Sequence, residues 1–159
     1  MQYVLKQIRF LMKHSIFYYV IGLAYAISLN ASPILLTEMD GTLVPFTNLR
    51  GKLVMINYWA SWCRSCIDEI HELNSFYRKN LKKVALYAVN YDGVPVAKQN
   101  QLIKKYHISY PSLRIDPSIL LHLEDLSAVP VTFVFNPNGQ LINTLYGGQT
   151  EITLKQLIK

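Results

Sequence analysis

The sequence predicts an α/β domain with a central mixed sheet flanked by helices and an extra β-hairpin at its N-terminal edge. Three observations carry this. Two strongly apolar runs, residues 52–60 (KLVMINYWA) and 84–91 (VALYAVNY), lack the polar alternation of a half-exposed strand and read as strands buried on both faces. The segment between them has helical periodicity, and strand, helix, strand in that order is a parallel crossover. Near the end of the chain, residues 131–135 (VTFVF) and 140–146 (QLINTLY) flank Asn136-Pro137-Asn138-Gly139, an antiparallel hairpin whose Asn-Gly readily supplies positive φ.

The elements follow in order. Residues 34–46 suggest a short hairpin turning at Asp40-Gly41, at a sheet edge because Pro45 cannot donate to a central ladder. After the first central strand, Cys63, Cys66, Ile67, Ile70, Leu73 and Tyr77 recur on one helical face while Asp68, Glu72 and Arg78 point elsewhere. The second strand closes at Asp92-Gly93. A helix is expected over residues 95–106, and a short one over 117–126, with Asp116 as its N-cap and Pro117 in its first turn. Gly147-Gly148 ends the C-terminal hairpin, and a final helix over about residues 150–158 should set Ile152, Leu154, Leu157 and Ile158 against the sheet.

The chain of 159 residues suits one domain with a substantial core. Residues 1–31 differ in kind: Lys6, Arg9 and Lys13 precede the apolar stretch 15–29, and no acidic residue occurs before Glu38. This reads as an export signal, or an N-terminal membrane anchor if uncleaved, since 15 residues fall short of the roughly 20 that span a bilayer comfortably. The domain proper is then residues 33–159. Removing residues 1–31 leaves 13 Lys+Arg against 10 Asp+Glu. Without a basic cluster interleaved with aromatics, nucleic acid is not an expected partner.

Cys63 and Cys66 are the only cysteines, in Trp62-Cys63-Arg64-Ser65-Cys66 at the start of the predicted helix. One helical turn brings them near the Cα separation a disulfide needs. The first turn presents unpaired N–H groups and a partial positive charge, which favours a thiolate at Cys63, with Arg64 adding a cation. Cys66, one turn inside, suits the resolving role. Two other readings compete. A zinc site normally needs four ligands, and only His71, His107 and His122 accompany the two thiols beyond the leader. A purely structural disulfide would close a very short loop and remove little unfolded-state entropy.

Trp59-Ala60-Ser61-Trp62-Cys63-Arg64-Ser65-Cys66 after a buried strand, Ala128-Val129-Pro130-Val131-Thr132-Phe133 some 65 residues later, and the terminal hairpin plus helix resemble the thioredoxin superfamily over residues 33–159. The leader, the N-terminal hairpin and the segment around 93–115 are similar to its TlpA-like branch, whose members include periplasmic reductases of cytochrome c maturation. The resemblance implies a thiol–disulfide oxidoreductase, periplasmic and without a cofactor or metal beyond the Cys63–Cys66 disulfide. Protein thiols and disulfides would be its substrates and a membrane thiol–disulfide donor its recharging partner. It implies a cis peptide at Val129-Pro130 facing the cysteines, with Val129 pairing to an extended substrate. Trp62, Arg64 and Ser65 would border the substrate, whereas Trp59 belongs to the core.

Two departures bear on mechanism. Asn57 stands where thioredoxins carry a buried aspartate, and Glu69, three residues after Cys66, matches a glutamate common in TlpA-like proteins. Glu69 sits at the margin of the apolar stripe, where partial burial near the sulfurs and ordinary solvation are both open. His71 replaces a frequent proline and projects to the surface. The direction of electron flow is also open. The branch favours a reductase, while a cation between the cysteines should favour an oxidase of folding proteins. A copper-binding thioredoxin-fold module is the alternative from another class, since thiolates suit copper. Copper-delivering relatives differ in having three residues between the cysteines and a late histidine, and the paired thiols also argue against a single-cysteine peroxidase.

Overall fold

The computed structural model describes residues 32–158 except residue 125; the predicted leader lies outside them. Its centre is a five-stranded sheet in the order β5-β4-β3-β6-β7. β3 (Leu53–Trp59) and β4 (Val84–Asn90) are the two apolar runs, parallel and in register from Leu53 opposite Val84 to Trp59 opposite Asn90. β6 (Val131–Phe135) runs antiparallel on the other side of β3 and turns back into β7 (Leu141–Tyr146). The sheet is mixed, as expected. A separate two-stranded sheet, β1 (Leu35–Thr37) with β2 (Leu43–Pro45), forms the N-terminal hairpin.

Side chains along β3 alternate between two cores, as the pleat requires. Leu53, Met55 and Trp59 join the core beneath α1 (Arg64–Lys79), α2 (Val96–Lys105) and α3 (Glu151–Lys155), which bury Ile70, Leu73, Phe76, Leu102 and Leu154 there. Val54, Ile56 and Tyr58 join the opposite core. All three helices thus contribute to one core. The other is closed by the hairpin, by a 3-10 turn over Phe46–Leu49, and by Leu121 and Leu123.

Those two leucines lie in the segment predicted as a short helix, and here the structure corrects the sequence. Residues 118–122 form successive turns. Asp116 does accept from the Ser118 N–H (2.8 Å), the bond of an N-cap. Asp116 is also engaged by the Tyr58 hydroxyl (2.6 Å), and His122 has φ of 50°, which breaks helical propagation. Upstream, Ser112–Leu113 form an unpredicted short strand, β5, parallel to β4 at Ala88 and Val89. The last predicted helix is α only over Glu151–Lys155 and tightens to 3-10 over Gln156–Ile158. In it Leu154 is fully buried, but Ile152 is 75% exposed and does not meet the sheet.

Candidate active site

Cys63 and Cys66 are joined by a disulfide, with Cα atoms 5.3 Å apart. Cys63 is the N-cap of α1 in extended conformation, and its Sγ accepts the Cys66 N–H at 3.1 Å. This is the expected helix N-terminus, its free donor aimed at the sulfur that must carry negative charge when the bond opens. Cys63 keeps 6% exposure and Cys66 none, so an approaching sulfur can reach only the first.

The loop before the pair is held by residues that follow β4 and α2. The Asp92 carboxylate accepts the Ser61 N–H (3.0 and 3.1 Å to its two oxygens) and hydroxyl (2.9 Å), and the Tyr106 hydroxyl donates to the Ser61 carbonyl (3.3 Å). Trp62 projects from this loop, 70% exposed, whereas Trp59 is buried and packs edge-on against Tyr106. Ser65 Oγ lies 3.6 Å from Cys63 Sγ. Arg64 turns away: its Nε pairs with Asp68 at 3.1 Å, both side chains exposed.

Across from the sulfurs, Val129-Pro130 is a cis peptide, and the Val129 carbonyl oxygen is 3.6 Å from Cys63 Sγ. Topology brings them together. β6 runs antiparallel to β3, so the start of β6, just after Pro130, adjoins the end of β3, just before Cys63. Pro130 is buried, and its carbonyl accepts the Gly147 N–H (2.9 Å).

Behind Cys66 lies a buried polar chain. Glu69 is 3% exposed, and both its oxygens are engaged, Oε1 by the Asn57 side-chain amide and Oε2 by the Gln149 N–H, each at 2.9 Å. Asn57 also donates to Thr132 Oγ1 (2.9 Å) and accepts from the Tyr110 hydroxyl (3.3 Å). Burial pushes the Glu69 carboxyl up to about 7, against the lowering effect of its two donors. A cleft of about 290 Å³ between α1 and the loop after β7, lined by Ser65, Asp68, Glu72 and Gln149 among others, connects Glu69 to solvent.

Every candidate site residue therefore gathers at one end of the sheet. The sequence assigns no site role to Thr132, Tyr110 or Gln149. Thr132 carries a weak signal, since strand register sets it opposite Asn57; Tyr110 and Gln149 reach the site through loops and carry none. His71 is on the surface, as expected, beside Glu72 (3.4 Å). Among the described residues no cluster of three or more His, Cys, Asp or Glu is placed to hold a metal.

Residues 27–144, most of the chain, match the AhpC/TSA family. The chain belongs to that family. Its relatives include the thiol-disulfide oxidoreductase ResA of Bacillus subtilis, 28% identical over 123 residues that cover 77% of this chain and 68% of that protein. ResA of Bacillus anthracis is 25% identical over 131 residues, covering 82% and 75%. These agree with the TlpA-like resemblance. Among solved structures, StoA from Bacillus subtilis superposes with a TM-score of 0.67 at 23% identity, covering 80% of this chain and 97% of its own. The exposed lipoprotein thioredoxin Etrx1 from Streptococcus pneumoniae gives 0.69 at 20%, covering 80% and 98%. The thioredoxin-like fold of this AhpC/TSA member is established by those likenesses.

Proposed function

We propose that this protein is an extracytoplasmic thiol–disulfide oxidoreductase that works as a reductase of protein disulfides, of the cytochrome c maturation type. The observation that carries it is the asymmetry of the pair: Cys63 caps α1, accepts a helix N–H and keeps a trace of exposure, while Cys66 is sealed beneath it. In the reduced protein the Cys63 thiolate attacks one sulfur of a substrate disulfide. The substrate S–S bond breaks, a mixed disulfide forms, and the leaving substrate thiolate takes a proton. Cys66 then gives up its proton and attacks Cys63 Sγ. The second substrate thiol leaves, and the 63–66 disulfide remains, two electrons having passed to the substrate.

Glu69, one turn beyond Cys66, is the group to accept the Cys66 proton, since a carboxyl poised near neutrality can both take and return one. Trp62, Ser65 and the Val129-Pro130 backbone flank the exposed sulfur and border the substrate. Arg64 lies at the rim. Its partner Asp68 offsets its charge, which weakens the argument that a cation between the cysteines makes the couple oxidising and so supports the reductase direction. Export rests on the basic and apolar leader of residues 1–31, cleaved or retained as an anchor. A membrane thiol–disulfide donor would return the dithiol to its reduced state.

Equilibration with glutathione buffers tests the direction. A reduction potential near the roughly −270 mV of thioredoxin supports the reductase, and one near the roughly −120 mV of DsbA makes it an oxidase. Copper titration of the reduced protein beside insulin-disulfide reduction tests the class. Tight metal uptake without exchange would replace the enzyme by a copper-binding module.

A further inference from the structure

At the end of the sheet opposite the disulfide, three loops and the chain entry converge. The Leu53 N–H donates to the Lys83 carbonyl (2.8 Å), the Gly51 N–H to Pro137 (2.9 Å) and the Lys52 Nζ to Leu81 (3.3 Å). Phe46 packs edge-on against Phe135, and its N–H donates to Ile34 at 2.8 Å. Residues 46–52, 78–83 and 136–139 therefore share one pole, and the chain enters the domain there. β3 begins at this pole and ends beside Cys63, about 20 Å away at strand rise.

The charge of the pole is one-sided. It carries Arg50, Lys52, Arg78, Lys79, Lys82 and Lys83, while no Asp or Glu occurs in residues 41–67, 73–91 or 126–150. Lys79 is neutralised by Glu151 (2.8 Å). Among the described residues the other five are in no ion pair. A groove of about 480 Å³ runs along residues 78–83, and within it Leu81, an aliphatic side chain, is 51% exposed between cations. Cations surrounding an exposed aliphatic side chain are the composition that seats on an anionic bilayer surface, the lysines at the headgroups and the apolar group at the acyl boundary.

We propose that this basic pole docks on anionic phospholipid headgroups and holds the Cys63 face toward solvent. Two observations choose a bilayer over other acidic partners. Ile34, five residues beyond the apolar stretch 15–29 in the sequence, sits at this pole, and the exposed leucine gives the patch an apolar component that a purely acidic polypeptide would not use. Each such cation contributes roughly fivefold to binding an anionic surface. The face is independent of the redox chemistry, so its failure would leave the thiol–disulfide reading intact.

The test reconstitutes the full chain into vesicles of phosphatidylcholine, with or without phosphatidylglycerol, and measures acetylation of Lys82 and Lys83 against Lys98, an exposed lysine of α2. On phosphatidylglycerol vesicles Lys82 and Lys83 should react several-fold more slowly relative to Lys98. The protection should disappear at high salt and be lost at Lys83 in an Arg78→Glu, Lys82→Gln chain, with insulin reduction by that variant unchanged as proof of folding. Equal reactivity on both vesicles, equal protection on both, or protection by polyglutamate but not by lipid would overturn the proposal.

Discussion

Glu69 is the residue on which the proton chemistry turns, and its environment makes a signed prediction. Its carboxyl ionises near 7 in the folded protein against an ordinary 4.5, so the native state holds a proton that the unfolded chain has released between those values. Stability from the neutral carboxyl is complete below about pH 4.5 and is lost as pH rises through 7, on the order of 3 kcal/mol in all. Glu69→Gln, which keeps the shape and removes the titration, should flatten that fall, as urea unfolding at pH 5 and pH 8 would measure. The same variant should alter the pH dependence of Cys63 alkylation, and an unchanged profile would leave Glu69 a bystander. The helical pattern places Glu69 at the edge of the apolar stripe and goes no further. What buries it is Gln149 from 80 residues away and the Asn57–Thr132 pair beneath, contacts that no local pattern carries.

At the scale of elements, α3 is fixed by one side chain and one polar clasp. Thr150 forms a capping box with Thr153, and Glu151 binds Ser75 and Lys79 of α1. Leu154 is the fully buried anchor. Leu154→Ala should cost about 2–5 kcal/mol in urea unfolding, while Ile152→Ala, at an exposed position, should stay within about 0.5 kcal/mol. Periodicity alone treats these two alike, because a helix of five residues followed by a 3-10 turn does not sustain a 3.6-residue stripe. The long elements were readable because β3, α1 and β4 each repeat one pattern over at least seven residues. The segment after Asp116 was not: its capping signal is real, but Leu121 and Leu123 follow the demands of the second core rather than a helix. β5, two residues long, is too short to leave a pattern.

For the whole molecule, the decisive fact is strand order. A parallel β3–β4 pair with antiparallel β6 beside β3 puts the end of one strand against the start of another 72 residues further along the chain (Trp59 to Val131), so Cys63 meets Val129-Pro130 at one pole. The motif Ala128-Val129-Pro130 was legible as a resemblance; its 3.6 Å approach to the sulfur is a property of the fold. That arrangement presents one sulfur outward and hides the other, which divides the labour between them. Incubating Cys66→Ser and Cys63→Ser with a disulfide-containing protein substrate tests it most directly. Cys66→Ser should accumulate a mixed disulfide through Cys63 and Cys63→Ser should accumulate almost none; equal trapping by the two variants, or trapping through Cys66 alone, would contradict it.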